Sequence, residues 1–175
     1  MRRVILVTAI LGLLAGCGSG GGSDAPVPKD FETLSGEGWS LAYPAGWTVS
    51  EVEGSRLAQG PKGTGGLAPQ AAVARQLKPP PFEIMLDAFK SDQTLRRGNW
   101  KITRDAKYEL EGADQAQVIE ADYIEKTGTG TTPVKTIDLL VRTKQGAQLD
   151  FLMRAPRADF DRGRLGEVLD TIRLK

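Results

Sequence analysis

Between Trp100 and Met153, apolar and polar side chains alternate along four successive segments, and this period of two constrains the fold more than any other feature of the chain. In residues 117–125, Ile119, Ala121 and Tyr123 share one parity, with Glu120 and Asp122 on the other. Ile137, Leu139 and Val141 then alternate with Asp138, Leu140 and Arg142, and Ala147, Leu149, Phe151 and Met153 fall on one side of the last segment. Positions two apart point to the same face of a strand, so these stretches predict antiparallel strands with one apolar and one polar face. Residues 100–110 form the first of them, closed by Glu111-Gly112. Residues 126–133, rich in Gly and Thr, read as a hairpin loop.

The rest of the pattern surrounds this meander. Trp39-Ser40-Leu41-Ala42-Tyr43 alternates large and small, Pro44-Ala45-Gly46 turns the chain, and Trp47-Thr48-Val49 resumes the strand. Residues 71–77 are another strand, broken by Pro79-Pro80-Pro81. Phe82, Met85, Leu86 and Phe89 follow at helical spacing, one apolar stripe with Gly98 as its stop. Leu165, Val168, Leu169 and Ile172 repeat that spacing at the C-terminus. Strands and helices in separate runs predict an α+β fold: an antiparallel β-sheet of about six strands with amphipathic helices packed on it.

The N-terminus follows different rules. Arg2 and Arg3 precede an apolar run ending in Leu14-Ala15-Gly16-Cys17, the only cysteine in the chain. Such an order is that of an export signal. At 1.5 Å per residue its apolar run spans roughly 16 Å, about half of a hydrocarbon core. Leu14, Ala15 and Gly16 resemble a bacterial lipobox, which implies diacylglyceryl attachment at Cys17 and cleavage before it. Two acyl chains suffice for stable anchoring. The expected division is therefore a signal peptide over residues 1–16, a flexible Gly/Ser/Pro tether over 17–30, and a single α+β domain over 31–175.

Composition then removes whole classes of chemistry. The sequence has no histidine, which excludes Ser-His-Asp and Cys-His catalysis and His-ligated metals. With Cys17 lipidated no thiol remains for a disulfide, a nucleophile or a metal. Loss of Arg2 and Arg3 from 23 basic residues leaves 21 against 22 acidic, a formal charge of about −1. Nothing in that balance favours nucleic acid. Neither a cofactor nor a metal is expected.

Four groups remain as candidates. Gly60-Pro61-Lys62-Gly63-Thr64-Gly65-Gly66 offers consecutive N–H groups to an anion, but Lys62 precedes the Gly-Thr pair and the next segment is strand-like, unlike a Walker loop. A mobile connection is the expectation. Glu109, Glu111, Glu120, Asp122 and Glu125 are the densest carboxylates; Glu120 and Asp122 share a face at roughly 6–7 Å, near a retaining glycosidase's separation. A weak divalent-cation site is a further alternative, and solvating charge is the simpler reading, with Asp138 pairing Arg142 or Lys135 across the sheet. Trp39, Trp47 and Trp100 suit a carbohydrate or peptide platform or, more simply, the core. Arg96 and Arg97 with Lys101 and Arg104 suit a basic contact patch or a solvated face.

Trp39-Ser40-Leu41-Ala42-Tyr43-Pro44-Ala45-Gly46-Trp47 resembles the strand-Tyr-Pro-x-Gly-Trp opening of the PsbP/Mog-like superfamily, which includes LpqN-type actinobacterial lipoproteins. The order of elements over residues 31–175 is similar as well. The resemblance implies extrinsic subunits, small-GTPase binders or partners of envelope proteins and carries no catalytic residue; Tyr43, Pro44, Gly46 and Trp47 transfer as structural positions. The expected function is a non-catalytic, lipid-anchored binding or assembly module on the extracytoplasmic side of the cell membrane, with an envelope protein as partner. The alternatives are a small-molecule or lipid carrier with a cavity between sheet and helix, and a carboxylate-based envelope hydrolase.

Overall fold

The computed structural model describes residues 26–175 apart from Glu53, Leu77, Gly98 and Thr129. The chain runs β1 (Phe31–Gly36), β2 (Trp39–Pro44), β3 (Thr48–Val52), β4 (Ser55–Gln59), β5 (Gln70–Gln76), α1 (Phe82–Arg97), β6 (Lys101–Lys107), β7 (Ala113–Thr127), β8 (Gly130–Thr143), β9 (Gln148–Pro156), α2 (Leu165–Asp170) and β10 (Arg173–Leu174). Seven strands form one antiparallel sheet in the order β3-β4-β5-β9-β8-β7-β6, and β1-β2-β10 form a second. The described residues thus form an α+β fold with two sheets and ten strands, more than the six expected. The additional strands carry little alternation to read. Every residue of β3 is exposed, and β10 has two residues.

The topology places α1. From β5 inside the large sheet the chain passes through α1 to β6 at the far edge, then returns by hairpins through β7 and β8 to β9, which pairs with β5. The helix therefore crosses one face of the sheet. Phe82 and Leu86 pack there on Ile119 and Leu140, with Met85, Phe89 and Trp100 around them. The predicted stripe is the buried one. α1 ends at Arg97, with Glu83 in its first turn and Arg96 and Arg97 in its last, each favourable to the helix dipole. Gly98, read as the stop, lies outside the described residues.

The opposite face carries the main core. Val118, Leu139, Val141, Leu149, Phe151 and Met153 meet Leu34, Trp39 and Leu41 of the small sheet and Leu165, Val168 and Ile172 from the C-terminal segment. The C-terminal helix is shorter than its apolar spacing predicts: it covers Leu165–Asp170, and Ile172 lies beyond it. Thr171 stops it by bonding across to β2, its Oγ1 accepting from the Ala42 N–H at 2.8 Å. At the other end Arg164, in the left-handed region at φ 54°, binds Glu167 at 2.6 and 2.8 Å, reaches Asp30, and stacks 4.4 Å over Phe31. The start of α2 is thereby joined to β1.

Residues 126–133 are not a loop. Lys126 pairs with Thr131 and Thr127 with Gly130, so β7 and β8 continue as 15- and 14-residue strands up to that last pair. β-branched Thr131 and Thr132 suit the extended backbone better than their polarity suggests.

Candidate functional site

Leu14, Ala15, Gly16 and Cys17 lie outside the described residues. Among those residues no helix is long and apolar enough to cross a membrane.

The Tyr43-Pro44-x-Gly46-Trp47 segment is held by one carboxylate. Tyr43 OH donates to Glu32 Oε2 at 3.1 Å, and the Gly46 N–H donates to Glu32 Oε1 at 3.3 Å. Gly46 takes φ 82°, which only glycine adopts without strain, so Trp47 turns back to lie 6.5 Å from the Tyr43 ring. Trp39 meets Phe151 edge-on at 6.0 Å in the main core, whereas Trp100 packs on Phe89 on the α1 face of the large sheet. The three tryptophans do not form one platform, because the large sheet separates Trp100 from Trp39 and Trp47.

The glycine-rich loop already holds an anion, and it is the protein's own. Asp159 is buried, and its Oδ2 accepts the Thr64 N–H at 2.7 Å. That bond, with Arg162 beside it, holds the carboxyl below the usual carboxylate range. A Cβ at Gly63 would collide with the same carboxylate. Trp47, Lys62 and Arg162 line a hollow of about 300 Å³ outside it.

Glu120 and Asp122 are neutralised rather than poised. Arg104 and Lys135 lie 3.1 and 3.2 Å from the Glu120 oxygens, and Arg157 pairs with Asp122. Among the described residues no three acidic, histidine or cysteine side chains group as a metal site requires. The basic patch also divides. Arg96 pairs with Asp92, Arg97 stacks 4.1 Å over Tyr123, and Arg104 is committed to Glu120. Lys101 stands alongside Arg104 on β6.

The unusual chemistry lies under α1, on the polar side that alternation assigns to β8 and the apolar side that it assigns to β7. Asp138 pairs with neither Arg142 nor Lys135. It is buried, accepts the Thr136 hydroxyl at 2.9 Å, and stands opposite Leu152, while Asp150 stands opposite Leu140. The two acids are thus diagonal neighbours on one face, with Cα atoms about 7–8 Å apart. Burial pushes Asp138 up to about 6, against the Thr136 hydroxyl and the charges of Arg97 and Arg154. Burial, and then the Asp138 carboxyl, push Asp150 up to about 8.

Beside Asp150 the helix and sheet leave a groove of about 450 Å³, lined by Met85, Ala88, Phe89, Leu140, Gln148 and Asp150 among others. Its volume is in the usual range of ligand pockets. Gln148 is 4% exposed; its Nε2 is 3.5 Å from Met85 Sδ, and its Oε1 has no partner. Asp150 Oδ1 has none either. Trp100 Nε1, Arg97 Nη1 and Arg142 Nε share this condition. All five belong to the layer formed by α1, its C-terminal connection and the sheet face beneath. No sequence signal marks Asp150 or Gln148, since each occupies an ordinary polar position of an alternating strand.

An antiparallel sheet carrying a helix-covered groove on one face is therefore the class that fold and geometry define. No protein-family model matches the chain, and no curated protein sequence does. Among solved structures the chain is similar to PA94, a protein of unknown function from Pseudomonas aeruginosa, at 11% identity and a TM-score of 0.52, over 78% of this chain and 90% of that one. That likeness concerns the fold alone. LpqN of Mycobacterium tuberculosis, a protein involved in cell envelope biogenesis, aligns over 88% of this chain and 85% of its own at 12% identity and a TM-score of 0.46.

Proposed function

We propose that the chain is a lipid-anchored, extracytoplasmic and non-catalytic binding module of the cell envelope, of PsbP/Mog-like type, with its ligand site in the groove beneath α1. One observation carries the ligand site: an apolar groove lined by Gln148 and Asp150, whose Oε1 and Oδ1 are buried and unpartnered. Leaving a buried polar atom unbonded costs about 1–3 kcal/mol, and a ligand that bonds it recovers part of that cost. The lipobox supports the anchor and the compartment, and the Tyr43–Trp47 motif supports the superfamily. An envelope protein is the expected partner of the anchored module.

The groove is tested with Nile red, a neutral apolar dye. Its fluorescence should rise saturably with the full chain and be lost on Ala88→Trp, which fills the groove. Equal enhancement in the filled variant would remove the groove as a ligand site. A second reading, carboxylate catalysis, is favoured by the separated protonation of Asp138 and Asp150, since acid–base pairs are made in this way. Turnover of an envelope polymer that disappears on Asp138→Asn would establish it in place of simple binding.

A further inference from the structure

Asp150 is half-buried with an inaccessible Oδ1, and among the described residues no cation pairs with it. The charged groups facing it from the elements packed around it each have another partner, although Arg97 Nη1 and Arg142 Nε keep an unpartnered hydrogen. From β8, Asp138 accepts the Thr136 hydroxyl and Arg142 turns to the Pro80 carbonyl. On β5, Arg75 pairs with Glu37. α1 contributes Asp92, which pairs with Arg96, and Arg97, which stacks on Tyr123. From β9, Arg154 holds Gln70 at 2.7 Å and Glu125 at 3.5 Å. Once the Asp150 carboxyl has released its proton, it and Gln148 Oε1 are both acceptors, so together they take at least two hydrogens from one small group that also carries the countercharge. A hydroxyl has one hydrogen to give, and an ammonium has three. Next to them lie a thioether and an aromatic ring, Met85 and Phe89, which suit an apolar body.

We propose that the groove beneath α1 selects primary organic ammonium ions, the ammonium bonding the Asp150 carboxylate and the Gln148 amide oxygen, the apolar part lying against Met85, Phe89 and Leu140. This inference rests on the groove being the ligand site and adds the chemistry of what enters it. The reaction is an association with one proton transfer to solvent. The protonated Asp150 carboxyl releases its proton to buffer, and the ammonium, which keeps all its hydrogens, pairs with the carboxylate. No covalent bond to carbon changes.

Proton release makes the proposal measurable. Asp150 holds its proton up to about pH 8, so affinity for an ammonium should rise about tenfold per pH unit on approaching that value and then level off. A neutral alcohol binds without that dependence. The full chain, reconstituted in nanodiscs with empty nanodiscs as blank, is titrated calorimetrically with phenethylamine, phenylethanol and phenylpropionate, in two buffers of different ionisation enthalpy. The expected result is saturable binding of phenethylamine with close to one proton released per ligand at neutral pH, and at least tenfold weaker binding of the alcohol and the acid. Asp150→Asn, which keeps the shape of the side chain, should lose at least tenfold in amine affinity together with the proton release. Equal binding of all three compounds, or amine binding without proton release, overturns the ammonium selectivity while leaving the groove intact. Absence of amine binding while Nile red still enters the groove does the same. Failure of Nile red itself counts against the groove.

Discussion

Asp150 and Thr171 show how single residues govern this molecule in opposite ways. The raised carboxyls of Asp138 and Asp150 carry a definite sign for stability. Above the ordinary carboxylate range the unfolded chain has released protons that the folded protein still holds, so stability falls as pH rises. The fall continues until the folded groups also ionise, near pH 6 for Asp138 and pH 8 for Asp150. Its limiting slope is about 1.4 kcal/mol per pH unit for each group. Urea unfolding should therefore show declining stability from about pH 5 to about pH 8. Asp150→Asn should flatten the upper part of that decline and surpass the wild type at its alkaline end. A decline of unchanged slope in the variant would show that Asp150 is not the group responsible. Thr171 is wholly structural. Its hydroxyl accepts from Ala42 and lies 2.7 Å from the Val168 carbonyl, to which it donates, so Thr171→Val leaves a buried N–H unsatisfied. A loss of about 1–3 kcal/mol in denaturant unfolding is expected.

Among the elements, α1 is the least firmly integrated. It buries only Phe82 and Leu86 of its 16 residues, leaves Ile84 60% and Leu95 84% exposed, and lies over a layer of unpartnered polar atoms. The central strands are sealed on both sides, with Val118 and Ile119 of β7 and Leu139 and Leu140 of β8 all nearly inaccessible. Segments with few buried contacts open at lower free energy than the core. Native-state hydrogen exchange should find α1 amides exchanging through an opening weaker than that of β8 and β9. Identical opening energies would mean that the helix and sheet unfold as one unit, and that entry to the groove needs no movement of α1. The helix itself was legible because its stripe has the period of 3.6. The hairpin was legible as a turn but not in its length, since Thr and Gly near a turn do not say where pairing stops.

At the scale of the whole molecule, two surfaces of one sheet do different work. One joins the small sheet and α2 in a dry core, where Leu139→Ala should cost about 2–5 kcal/mol by global unfolding. The other holds the acids and the groove. Anchoring belongs to this scale too. Cys17→Ser should abolish metabolic lipid labelling and release the protein from membranes, and retention of the variant in the membrane fraction would contradict the anchor.

The sequence by itself determined the α+β class, the side-chain parity along β7, β8 and β9 and the amphipathic stripe of α1, because these depend on the local geometry of side chains along one element, but not that Ile119 of β7 and Leu139 of β8 lie on opposite faces of the sheet. It also sufficed to mark the turn at Pro44-Ala45-Gly46, whereas Tyr43 and Trp47 were singled out only by the superfamily resemblance. Only the tertiary structure decided which polar residues are solvated. Glu120 and Asp122, the acids that stood out, meet Arg104, Lys135 and Arg157, whereas Asp138 and Asp150 meet a helix. Alternation tells which side of a strand a residue occupies, but what covers that side depends on a crossover from β5 to β6 that no local pattern encodes.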